Sequence, residues 1–98
     1  MKISQTSSNV PSNFKLFQNY PNPFNPETMI NFQIPASNIV KLIIYDATGR
    51  EVVTLVNETL AAGSYEVEFN AGYLSSGIYF YRLESVNYTK TKKMTLIK

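Results

Sequence analysis

Between Thr28 and Lys98 the chain is a succession of short runs rich in β-branched and aromatic residues, each cut off by Gly, Pro or Asn. No segment repeats its apolar residues at the 3.6-residue spacing of a helix face. This pattern leaves antiparallel sheet as the architecture. Met29 to Ile34 alternates, with Ile30, Phe32 and Ile34 on one face and Asn31 and Gln33 on the other, and it stops before Pro35, which cannot donate to a ladder. Val40 to Tyr45 follows. Asp46-Ala47-Thr48-Gly49 then carries Asp at the first position and Gly at the last of a type I turn, so the chain returns over Arg50 to Val56. Leu60-Ala61-Ala62-Gly63 turns it into Ser64 to Asn70, the cleanest alternation of all: Tyr65, Val67 and Phe69 oppose Glu66 and Glu68. After Gly72 and the turn Leu74-Ser75-Ser76-Gly77 comes Ile78 to Ser85, and the last strand runs from about Thr89 to Lys98. With Phe14 to Phe17 as a leading strand, about seven short strands predict an all-β, immunoglobulin-like antiparallel β-sandwich, with a small barrel as the alternative.

Ile78 to Ser85 has two usable faces. Tyr79, Tyr81 and Leu83 form one, and Ile78, Phe80 and Arg82 the other. The Ile78 face is either an exposed apolar patch or, with the register inverted, part of the core, and it is read here as core.

Ninety-eight residues make one domain, and 44% hydrophobic content with 13% aromatics is enough for one modest core. Residues 1–13 are polar, contain no apolar stretch of the signal-peptide kind, and read as a polar linker and cleavage region ahead of a folded domain over 14–98; Met1 is compatible with an expression start. A net charge of +2 implies neither a nucleic-acid nor a membrane partner unless it is focused into a patch. No apolar run approaches the roughly 20 residues of a membrane span.

The segment Tyr20-Pro21-Asn22-Pro23-Phe24-Asn25-Pro26-Glu27-Thr28 holds three of the five prolines. Each fixes φ and biases the residue before it toward extended geometry, so the segment is stiff without a hydrogen-bonded ladder. Tyr20 and Phe24 are expected to plug one end of the sandwich, with a recognition surface as the alternative.

Catalysis finds no support in the residues. The chain has no His and no Cys, which excludes Ser-His-Asp and Cys-His nucleophiles as well as thiolate or imidazole metal sites. Asp46 belongs to a turn, and Glu66 and Glu68 share the outward face of one strand, which is not the geometry of a carboxylate pair flanking a cleft. The single glycines form no phosphate loop, and no cofactor is expected. Lys90, Lys92, Lys93 and Lys98 cluster in the last strand, either as a docking patch for an acidic partner or as the charges that keep an edge strand from pairing with another chain.

Taken together, "NYPNPFNPET" at Asn19 to Thr28, "IYDATGREVVTLV" at Ile44 to Val56, "AAGSYEVEFNA" at Ala62 to Ala71, "LSSGIYFYRL" at Leu74 to Leu83 and "TKKMTLIK" at Thr91 to Lys98 resemble a known family. It is the type A C-terminal sorting domains of proteins exported by the type IX secretion system of Bacteroidetes and related bacteria. The likeness covers Phe14 to Lys98. It implies a non-catalytic tail on a longer precursor, recognised by the outer-membrane translocon after a periplasmic passage. It further implies removal by a sortase-like peptidase before Phe14, with the N-terminal cargo ending at the cell surface or in the medium. The chain lacks that cargo and reads as an excised fragment. The family's recognition signals fall on Gly63, Tyr65, Gly77, Tyr79, Tyr81, Lys92, Lys93 and Lys98. Glycines and tyrosines are also what turns and core demand, so direct contact is assigned to the lysines and the terminal strand, whose edge could be read by an added strand. Two other classes stay open: an adhesion or carbohydrate-binding sandwich using Tyr73 or Tyr88 as a stacking platform, and a structural immunoglobulin-like scaffold of the flagellar hook-capping kind.

Overall fold

The computed structural model describes residues 2–98; Met1, with its reading as an expression start, lies outside the described residues. Eight strands form: β1 (Lys2–Ser7), β2 (Lys15–Leu16), β3 (Glu27–Ile34), β4 (Asn38–Asp46), β5 (Glu51–Leu60), β6 (Gly63–Asn70), β7 (Gly77–Ser85) and β8 (Tyr88–Leu96). They make two antiparallel sheets of four strands, in the orders β1-β6-β3-β2 and β5-β4-β7-β8. This is the expected sandwich, and its β2-β3-β6 against β5-β4-β7-β8 is the immunoglobulin-like arrangement. Among the described residues no helix is long and apolar enough to cross a membrane.

The alternation read from the sequence decides which face of each strand is buried. Ile30, Phe32 and Ile34 of β3, Val40, Leu42 and Ile44 of β4, and Val67 and Phe69 of β6 are buried between the sheets. Phe32 and Tyr65, opposite each other in the β3–β6 register, stack with ring centroids 5.5 Å apart. The Asp46–Gly49 turn closes as expected, with Gly49 N–H donating to the Asp46 carbonyl at 3.0 Å. The Asp46 carboxylate accepts from the Thr48 hydroxyl and the Thr48 and Arg50 amides, which hold its pKa below the usual value.

Two expectations are corrected. Within the supposed linker, Lys2–Ser7 is a strand, paired antiparallel with β6 from Lys2 opposite Glu68 to Ser7 opposite Ser64. Its attachment is a backbone ladder with Ile3 packed against the core, so its polar composition carried no strand signal. The second correction concerns β7, whose core face is Tyr79, Tyr81 and Leu83. Ile78 is exposed and Phe80 and Arg82 are half-buried on the outer face, where the Arg82 guanidinium lies 4.6 Å from the centre of the Tyr45 ring.

The proline-rich segment does more than cap an end. Beyond β2, Phe17 N–H donates to Asn31 O at 3.0 Å, and Tyr20 and Met29 exchange backbone bonds of 3.0 Å each, which continues the contact with β3. The chain then crosses to the other sheet. Gln18 Nε2 donates to Lys93 O at 2.8 Å, Asn22 Oδ1 accepts from Thr95 N–H at 3.0 Å, Phe24 N–H donates to Thr95 O at 3.0 Å, and Ile97 N–H donates to Phe24 O at 2.9 Å. Residues 15–24 therefore stitch the β3 edge to the β8 edge and close one side of the sandwich. Phe24 is buried against Phe69, as a plug should be, whereas Tyr20 points to solvent. The Tyr20–Pro21, Asn22–Pro23 and Asn25–Pro26 bonds are cis.

Candidate functional site

The eight residues singled out by the sequence do not converge on one spot. Gly63 lies opposite Ile34 and Gly77 opposite Leu96. Leu96 is bridged to Phe24, near the Asn70 end of β6, so the two glycines mark opposite ends of the sandwich.

They are nonetheless two copies of one device. Leu60-Ala61-Ala62-Gly63-Ser64-Tyr65 and Leu74-Ser75-Ser76-Gly77-Ile78-Tyr79 share the pattern L-x-x-G-x-Y. In each, glycine opens a strand at a φ that side-chain-bearing residues avoid, 152° at Gly63 and 156° at Gly77. In each, the tyrosine two residues on turns its hydroxyl back to a carbonyl four residues upstream, Tyr65 to Ala61 O and Tyr79 to Ser75 O, both at 2.7 Å. One corner starts β6 and the other β7, so each sheet has one. The internal repetition was visible in the sequence and is the signal that identifies these four residues as architectural.

Tyr81 has a third role. Fully buried, its hydroxyl donates to Phe17 O at 2.7 Å and accepts from Asn19 N–H at 2.8 Å, tying the crossing segment to β7. Burial pushes its pKa up to about 12, so the phenol keeps the proton it donates at any physiological pH.

The lysines divide. β8 places Lys92 opposite Tyr81 and Lys93 opposite Phe80, so the two leave the strand on opposite faces, and Lys93 is exposed on the outer face. Lys98 is engaged: its Nζ donates to Gly72 O at 2.7 Å and its N–H to Ser76 Oγ at 3.1 Å, pinning the loop that precedes the Gly77 corner. The edge of β8 over Lys93–Ile97, expected to be free for an added strand, is already taken by Gln18, Asn22 and Phe24. Tyr88, considered as a stacking platform, is covered by Phe14, their rings 4.7 Å apart. Sequence reasoning missed the two buried polar side chains Asn19 and Thr28, which are bonded to each other and to Pro21 O.

Comparison with known proteins places the chain. The family described as secretion system C-terminal sorting domain matches residues 18–98. None of the curated proteins compared matches. Among solved structures, PorZ of Porphyromonas gingivalis, named as an essential bacterial surface component of the type-IX secretion system, is similar with a TM-score of 0.61 and 22% identity over 85% of this chain. The chain spans 11% of that protein's length, and at this identity the likeness is one of fold. The matching segment begins at Gln18, in the crossing segment, and takes in both L-x-x-G-x-Y corners and all of β8. The chain belongs to the secretion system C-terminal sorting domain family.

Proposed function

We propose that this domain is the export address of a longer type IX cargo protein, recognised as a folded unit by the outer-membrane translocon and performing no catalysis of its own. The family match over residues 18–98 carries this reading, and the fold suits it, because a sandwich closed along one side can travel as a unit. The cargo precedes the domain, passes through the periplasm with it, and ends at the cell surface or outside the cell. A sortase-like peptidase then separates the two. With Lys2–Ser7 docked on β6, the stretch from Ser8 to Asn13, exposed except at half-buried Pro11, is the accessible place for that cut within a cleavage region over 1–13.

Direct contact falls to the lysines. Gly63, Tyr65, Gly77, Tyr79 and Tyr81 spend their special geometry on the fold, and Lys98 is bonded to the Gly72 loop. Lys93, exposed on the outer face beside Phe80, and Lys92, half-buried on the other face of β8, are the two lysines left to meet an acidic partner. Charges at the margin of an interface act mainly on encounter and partner choice. Lys93→Glu combined with Lys92→Glu is expected to lower export of a fused reporter by about tenfold, the equivalent of about 1.4 kcal/mol, while the purified domain melts within a few degrees of the parent. Unchanged export by the folded double variant would remove the lysines from the interface.

A further inference from the structure

The outer face of the sheet β1-β6-β3-β2 carries a feature separate from the β8 lysines. Tyr20 is 81% exposed, yet its backbone is paired on both sides. It exchanges two 3.0 Å bonds with Met29. The next carbonyl, Pro21 O, accepts from Asn19 Nδ2 at 3.1 Å and from Thr28 Oγ1 at 2.9 Å, and Asn19 Nδ2 also donates to Thr28 Oγ1 at 3.0 Å. Asn19 and Thr28 are the two buried polar side chains among the described residues, and their bonds converge on the carbonyl of Pro21, the residue after the exposed ring. A buried, satisfied network of this kind rigidifies what it holds. An aromatic whose backbone is already fixed loses only its side-chain freedom on binding.

Beside the ring lies a groove of about 250 Å³ lined by Tyr20, Pro21, Glu27, Thr28, Met29 and Glu68. The charge that β3 and β6 themselves contribute to it has one sign. Neither β3 nor β6 contains Lys or Arg, and Glu27, Glu66 and Glu68 all stand on their outer faces. One Glu27 oxygen accepts from Asn70 Nδ2 at 3.1 Å, and in the β1–β6 register Lys2 lies opposite Glu68. Carboxylates at the rim and an aromatic wall with a methionine floor form a surface complementary to a cation with a flat apolar face.

We propose that this groove docks an extended protein segment through an arginine, whose guanidinium stacks on Tyr20 and is shared between Glu27 and Glu68. Arginine fits better than lysine because its planar, weakly hydrated head both stacks and forks onto carboxylates. The proposal deepens the export reading, in which the partner is a component of the export machinery. It also assigns the exposed ring of the "YPNPFNPET" segment a second duty besides stitching the sheets. The interaction is then two-sided: the β8 lysines meet an acidic surface and the Tyr20 groove a basic one.

The test needs no export machinery, so its failure is distinct from failure of the export reading. The 98-residue chain, labelled for amide NMR, is titrated with acetyl-Gly-Arg-Gly-amide, with the glutamate tripeptide as control. Shifts are expected at Tyr20, Glu27, Met29 and Glu68, with none from the control. Tyr20→Ala is expected to weaken binding about fivefold, as loss of a cation–π contact of about 1 kcal/mol does. Glu27→Gln with Glu68→Gln is expected to weaken it at least as much, and unchanged amide spectra elsewhere report that these surface variants fold. Shifts centred elsewhere, equal binding by the variants, or equal response to the control would overturn the proposal. So would concentration-dependent shifts at the groove without peptide, matched by shifts at Lys90–Lys93, because the occupant would then be a second copy of the chain.

Discussion

Phe24→Ala is expected to destabilise the domain by about 3–5 kcal/mol, the range for removing a buried phenylalanine. For a domain of this size that lowers the melting temperature by on the order of 20 °C, and it is a large part of the roughly 5–15 kcal/mol that separates folded from unfolded. The residue is 2% exposed, its ring centre is 6.2 Å from that of Phe69, and its backbone bonds to both Thr95 and Ile97. Its side chain thus anchors the segment that occupies the β8 edge. Freed of the anchor, the segment leaves the Thr95 and Ile97 backbone groups unpaired on an edge strand, which invites pairing with another chain. Calorimetry is therefore expected to show the lowered transition, and sedimentation the appearance of dimers and larger species at temperatures where the parent is monomeric. A shift of only a few degrees would mean that the crossing segment is held by its other bonds.

The second large effect separates two glycines that look equivalent in sequence. At Gly77 a Cβ would meet nothing within 4 Å, so Gly77→Ala costs only the backbone strain of its φ, about 1–3 kcal/mol. At Gly63 a Cβ would sit 2.6 Å from Ser7 O and closer still to the Gln5 side chain. Ser7 O is backbone of β1, so the strand itself must move, and Gly63→Ala is expected to cost roughly 2–5 kcal/mol when strain and overpacking are added. The difference should show as a lower melting temperature for Gly63→Ala. It should vanish when both changes are made in a chain beginning at Ser8, where β1 is gone. Persistence of the gap in the shortened chain would mean that β1 is not what Gly63 accommodates. The comparison bears on function as well: loss of export in either variant would follow from a damaged corner and would not mark the glycine as a contact.

The core was legible because its signal is local. Strict alternation in β3 and β6 and the turn at Asp46–Gly49 each follow from a few adjacent residues, and the structure realises them. What sequence could not supply depended on partners far along the chain. β1 is a polar strand whose place is set by the free edge of β6, and nothing in "KISQTS" announces that edge. The opposite exposures of Phe24 and Tyr20, both plausible plugs, depend on the crossing between sheets, which only the pairings with Met29 and Thr95 define. On β7 both faces carry apolar residues, so alternation alone left the register ambiguous. Among the site residues, the pairing of Gly63 with Tyr65 and of Gly77 with Tyr79 was readable from their repeated spacing. The capture of Lys98 by Gly72 O, across 26 positions, was not.

The central claim, that residues 1–98 are a sufficient export address, is tested most directly by export itself. A fluorescent reporter with an N-terminal signal peptide and this chain at its C-terminus would be expressed in a host with a type IX translocon and in the same host without it. Reporter is expected at the surface or in the medium of the first and only in the periplasm of the second. Reporter held in the periplasm of both, with the domain folded and the host's own sorting tail exporting normally in parallel, would contradict it.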